Sequence, residues 1–213
     1  MVDIPMLRRL RINFILKIMN KEEKLEVIIG HLDKHIRGAG DASGVDQRTK
    51  GFSEKYLYPI LKDNFKVLDV GAGDCMTQKY LSDKVKSWIG INKGIDQENC
   101  VKTHGTMFMD FHELNFDSNS FELVISVNTL EHAYFPLLMM YEMNRVSSEY
   151  IYLQLPIPGF ISGLPYDNHP DHYFVCSDLC WENMFKKLEW EIVKKGTEGG
   201  EYQWLLRKGR DWY

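Results

Sequence analysis

Apolar residues in this chain recur in two different rhythms. Leu7, Leu10, Phe14, Ile15 and Ile18 return every three or four positions, as do Leu25, Ile28, Ile29, Leu32 and Ile36. That spacing collects them on one face of a helix. Two amphipathic helices are therefore expected, over 5–19 and 20–36, the second capped by Asn20 with Glu23 three residues on. The run GAGDASG, Gly38–Gly44, interrupts the pattern and separates an expected N-terminal helical extension, residues 1–44, from a core domain, residues 45–213. A further helix over 47–63 turns Tyr56, Leu57, Ile60 and Leu61 inward. Short β-branched runs then take over at 65–70, 88–91, 106–109, 121–127 and 149–155. Helical stretches begin at Met76, after Asn128, and at Ser177, which caps a stripe of Trp181, Met184, Phe185 and Leu188. Strands alternating with helices predict an α/β fold on a mostly parallel sheet. Two last runs, 190–193 and 202–206 about a turn at 196–200, predict a closing antiparallel hairpin.

The first strand runs into a glycine turn, FKVLDVGAGDCMT, residues 65–77. Gly71 and Gly73 let the chain turn sharply and let a ligand approach its backbone. The helix that follows presents free N–H groups above the strand end, the usual seat of a nucleotide-like cofactor in an α/β sheet. A dinucleotide fingerprint would place a third glycine where Met76 stands and an acid at the end of the second strand, where Asn92 stands. Both differences weaken a nicotinamide reading.

Charge and cysteine content narrow the classes. A net charge of −4 argues against a duplex nucleic-acid partner, although Arg8, Arg9, Arg11 and Lys17 make the first helix basic. No run of 18 apolar residues suggests a membrane span. Charges break the apolar run at the start, which argues against a secretory signal. The four cysteines, Cys75, Cys100, Cys176 and Cys180, include no C-x-x-C pair, so a reduced, cytoplasmic protein without a disulfide framework is expected.

The phrase DVGAGD, residues 69–74, resembles motif I of class I S-adenosylmethionine (SAM)-dependent methyltransferases. The block LNFDSNSFELVISVNTLEH, residues 114–132, resembles the fourth-strand segment of the type 11 group within that family. The resemblance covers roughly residues 55–156. It implies a Rossmann-like class I methyltransferase fold: a mostly parallel seven-stranded sheet with helices on both faces. It also implies SAM as cofactor and S-adenosylhomocysteine (SAH) as product. By the same resemblance Asp69 organises the loop, and Gly71, Ala72, Gly73 and Asp74 lie under the methionine and ribose. Asn92 and Lys93 stand where the ribose is met, although most members carry an acid at the position of Asn92. Asp110, Phe111 and His112 would read the adenine, with Phe111 as an apolar wall. Ser126, Val127 and Asn128 would face the methionine end.

On the acceptor side the resemblance places His132 near the transfer site. The proline-rich segment from Pro156 to Val175 follows the fifth strand and should border the pocket. With His132, its His169 and His172 are candidate general bases. His169, His172, Cys176 and Cys180 also have zinc-like spacing, but Ser177 places Cys180 in a helix, and no metal ligand is assigned. No Pro-Pro-aromatic follows Asn128 and no Pro-Cys follows the fourth strand, against the DNA-methylating classes. The expectation is a methyltransferase acting on oxygen or nitrogen of a small-molecule acceptor, with room for a homodimer. The alternative is an inactive subunit of the same fold working through a protein partner. An NAD-dependent oxidoreductase comes third.

Overall fold

The computed structural model describes residues 49–92, 106–159 and 172–210. The expected N-terminal extension and its boundary lie outside these residues. Seven strands form one sheet: β1 (Lys66–Val70), β2 (Ser87–Asn92), β3 (Met107–Phe108), β4 (Phe121–Val127), β5 (Ser147–Pro156), β6 (Glu191–Glu198) and β7 (Glu201–Arg207). Their order is β3-β2-β1-β4-β5-β7-β6. β1 to β5 pair in parallel, and β7 runs antiparallel between β5 and β6. The strand order reverses between β1 and β4. Such a switch point is where open α/β sheets hold their ligands.

Among the described residues three α-helices cover the sheet: α1 (Met76–Leu81), α2 (Pro136–Val146) and α3 (Asp178–Lys187). On one face α2 and α3 bury Met139, Met140, Met143, Val146, Trp181 and Phe185 against Leu68, Val124, Ile151 and Trp204. Phe185 stacks on Trp190 and meets Trp204 edge-on, with centroids 5.6 and 5.3 Å away. Each such pair adds about 1 kcal/mol beyond its buried area. On the other face Leu81 of α1 joins Phe52, Tyr56, Leu57 and Tyr152.

Most expected elements are present, with local differences. The helix before β1 widens into a π-type turn at Ser53–Leu57, held by the Tyr58 N–H on the Ser53 carbonyl. Phe52 and Tyr56 from this turn pack on Tyr152 at 5.3 and 5.6 Å. The hairpin is longer than its apolar core and turns at Gly199-Gly200, because the polar stretch 194–198, Lys-Lys-Gly-Thr-Glu, still pairs with β7. Cys75 is disulfide-bonded, which corrects the expectation of a fully reduced chain. Spacing along the sequence carried no signal of that bond. Cys176 and Cys180 are free thiols.

Candidate active site

The turn after β1 alternates left-handed residues: Gly71 at φ 82°, Gly73 at φ 55° and Cys75 at φ 62°. Its start is fastened to β2, where the Gly71 and Ala72 N–H groups donate to the Ile91 carbonyl at 2.9 and 3.1 Å. A Cβ on Gly71 would overlap the Thr129 side chain, and the Thr129 hydroxyl lies 3.1 Å from the Val127 carbonyl. The glycine turn and the segment after β4 are thus in direct contact.

Asn92 ends β2, as expected, with its side chain turned to this loop. Its Oδ1 accepts from the Gly73 N–H at 2.9 Å and its Nδ2 donates to the Gly73 carbonyl at 3.3 Å. An acid could make the first bond and not the second. The amide therefore splints the glycine loop, a role that the sequence did not suggest. Lys93 lies outside the described residues.

Asp69 sits beneath the turn, on β1, only 2% exposed. Its Oδ2 has no hydrogen-bond partner. Burial, and then the neighbouring Asp74, push its carboxyl up to about 8. A buried acid with an unused oxygen below a backbone cradle suits a ligand that brings a cation or a donor. The ammonium-bearing end of SAM has that chemistry, so the residues present fit it.

After β3, Asp110 Oδ1 accepts from the His112 N–H at 3.0 Å and lies 2.8 Å from its ring Nδ1. Phe111 is 8% exposed and belongs to the main core with Leu114 and Leu130. It therefore supports the turn from below. The half-exposed ring beside His112 is that of Phe135, edge-on with centroids 5.9 Å apart. Phe135 precedes α2 and went unnoticed in the sequence because it lies outside the helical stripe.

After β4, Ser126 is buried, and Asn128 adopts a left-handed φ of 48°. Asn128 Nδ2 donates to Glu201 of β7 at 3.2 Å. A 3-10 turn, Leu130–His132, follows. The Tyr173 and Phe174 N–H groups reach back to the Glu131 carbonyl at 2.8 and 3.1 Å. This clasp sets the His172 ring against that of His132, with centroids 4.8 Å apart. Two of the three candidate bases are thus brought together, and His169 lies outside the described residues. Cys176 packs on the core, where burial pushes its thiol up, as suits an inert protonated sulfur. A separate cleft of about 410 Å³, lined by Glu149, Arg207 and Arg210 among others, lies at the strands' opposite edge, away from the glycine turn.

Residues 68–149 match a family model described as a methyltransferase domain. That segment is similar to a methyltransferase domain, and the fold of the described residues is that of class I SAM-dependent methyltransferases. No curated protein sequence matches it. Solved structures share the methyltransferase fold at low identity. A SAM-dependent methyltransferase from Aquifex aeolicus is 16% identical over 89% of this chain and 100% of that one, with a TM-score of 0.63. The magnesium protoporphyrin IX methyltransferase of Synechocystis PCC 6803, solved with bound SAH, is 13% identical over 90% and 100%, with a TM-score of 0.62. A complex between a methyltransferase activator and a methyltransferase from Haloferax volcanii matches at 12% over 80% and 97%, with a TM-score of 0.61. In the methyltransferase-like fold described here, the glycine turn, Asp69, Asn92 and the turn after β4 converge at the carboxyl edge of β1, β2 and β4. Among the described residues, no helix is long and apolar enough to cross a membrane.

Proposed function

We propose that this methyltransferase domain transfers the methyl group of SAM to an oxygen or nitrogen of a small-molecule acceptor. The observation that carries the proposal is the orphaned Asp69 carboxyl beneath the glycine cradle. SAM supplies a methyl group on a sulfonium, which leaves as the neutral thioether SAH after a direct in-line displacement. Asp69 holds the cationic amino-acid end. Gly71, Ala72, Gly73 and Asp74 present backbone close to the ligand. Asn92 keeps that backbone in place beside the ribose. Asp110 and His112 meet the adenine edge, with Phe135 in place of Phe111 as the apolar wall. Ser126, Val127 and Asn128 close the methionine end. His132 and His172 face the acceptor and provide for removal of its proton.

Calorimetric titration with SAM, SAH and NAD tests the reading. Expected is one-to-one binding of the first two at about −8 kcal/mol, the micromolar range, and none of NAD. Silence for SAM and SAH from folded protein would overturn it. A second reading is a subunit of this fold that works through a protein partner. It is favoured by Asn92, which spends both ends of its amide on Gly73 where most members carry an acid. SAM binding without turnover, plus a copurifying partner, would select it. A cytoplasmic setting is part of the proposal, and the disulfide at Cys75 is the observation that weighs against it.

A further inference from the structure

Glu131, His132 and His172 each offer one ligating atom, and these atoms lie within 4.8 Å of one another. Among the described residues they make up the group of histidine, cysteine and acidic side chains that can surround an ion. Neither Cys176 nor Cys180 belongs to it. We infer that this group is a binding site for a first-row divalent transition metal, of the zinc, manganese, iron or cobalt kind. Two imidazoles and one carboxylate are a ligand set suited to such ions and too nitrogen-rich for magnesium or calcium.

The fold prepares this set. Glu131 is 1% exposed, so its carboxylate sits where a counter-charge is worth most. His132 follows it on the 3-10 turn, its Nε2 4.0 Å from Glu131 Oε1. His172 comes from a segment forty residues away, fixed by the two N–H bonds to the Glu131 carbonyl. Beside it Tyr134 stacks on Tyr173 at 4.6 Å, tying the same two segments a second time. Bonds of about 2.0–2.1 Å to a shared ion bring ligand atoms to roughly 3 Å from each other. The present atoms need to close by less than about 2 Å, and the two partly exposed rings can turn to do so.

Three protein ligands leave coordination positions open, the arrangement of a reactive rather than a structural site. The turn that carries Glu131 and His132 directly follows Thr129, which packs on Gly71. The open positions therefore belong to the acceptor side. This placement rests on the methyltransferase reading above, although the metal site itself does not. The acceptor it fits is a hydroxyl compound that binds the ion through oxygen. Coordination lowers the hydroxyl pKa toward neutrality, its proton leaves to solvent, and the oxygen forms the new bond to the methyl carbon as the carbon–sulfur bond breaks. The imidazoles then act as ligands, and the ion takes over the acceptor activation assigned above to His132 and His172 as bases.

The test uses tag-free full-length protein, stripped with a chelator and titrated with Co²⁺ while visible absorption and heat are recorded. SAH affinity is measured in the same samples. Expected is one Co²⁺ per chain with ligand-field absorption, displaced by Zn²⁺. His132→Ala, His172→Ala and Glu131→Gln should each weaken it at least about tenfold, with SAH affinity held within about twofold. Absence of stoichiometric Co²⁺ binding, or binding indifferent to both histidine substitutions, overturns the site. His172→Ala removes a partly exposed ring and keeps the test valid if a change at buried Glu131 prevents folding. Co²⁺ binding without SAH binding would fail the cofactor reading alone, and SAH binding without Co²⁺ would fail the metal site alone.

Discussion

Asn92 grips Gly73 by both ends of its amide, at 2.9 Å through Oδ1 and 3.3 Å through Nδ2. The pair repeats, in a side chain, the donor-and-acceptor exchange of neighbouring strands. Asn92→Ala removes both bonds and frees the loop. SAH affinity should fall about tenfold, or about 1.4 kcal/mol, with a small drop in Tm. Calorimetry and a thermal melt check this, and unchanged affinity would mean that the loop holds itself.

Asp69 links pH to folding and to cofactor binding. Its folded value is near 8 against 3.8 for the free group. Between these values the unfolded chain gives up a proton that the folded chain keeps. The unliganded protein should therefore lose stability as pH rises from about 4 to 8, by several kcal/mol at about 1.4 kcal/mol per unit. Asp69→Asn should flatten this slope in denaturant melts taken across that range.

Binding of a cationic ligand over the same carboxyl favours its ionised form. At pH 7 SAM binding should release close to one proton. Titrations in buffers of different ionisation enthalpy would show it as a buffer-dependent heat, lost in Asp69→Asn. A heat independent of buffer would separate Asp69 from the cofactor's charge.

Gly71→Ala meets two penalties, a left-handed φ of 82° and the Thr129 side chain. The first alone costs about 1–2 kcal/mol. SAH binding should be lost and Tm lowered. Adding Thr129→Ala should restore part of the stability and little of the binding, as read by melts and titration of the double variant.

Away from the site, Asn144 gathers three groups. Its Oδ1 accepts from the Trp190 indole at 2.6 Å and the Gly209 N–H at 3.2 Å, and its Nδ2 donates to the Arg210 carbonyl at 3.0 Å. Asn144→Ala leaves a buried indole N–H unsatisfied and should cost about 2–4 kcal/mol in urea melts, with SAH affinity unchanged in the folded fraction.

The strands and the glycine turn were legible because β-branched runs and paired glycines are local signals. Val67, Leu68 and Val70 needed no partner to announce β1. The mostly parallel seven-stranded sheet came through the resemblance, and the structure bears it out. What escaped was decided across the chain. Asn92 stood out as a missing acid, but its hold on Gly73 spans nineteen residues. Glu131 passed as a marker beside His132, although an acid within an apolar stretch could have drawn notice. Its meeting with His172 depends on backbone bonds to residues 173 and 174 that no periodicity encodes. Phe111 was ambiguous for a similar reason: an aromatic after a strand can face ligand or core, and here it is buried within the core cluster.

The missing Cβ of Gly71 has a consequence for how the two substrates communicate. Thr129 fills that space, so the floor under the methyl donor and the turn leading to Glu131 and His132 are in direct contact. A ligand that settles either side reduces the freedom still to be lost on the other. Donor and acceptor are then linked in affinity, each tightening its partner by the same factor. That reciprocity would be written into a contact between a glycine and a threonine.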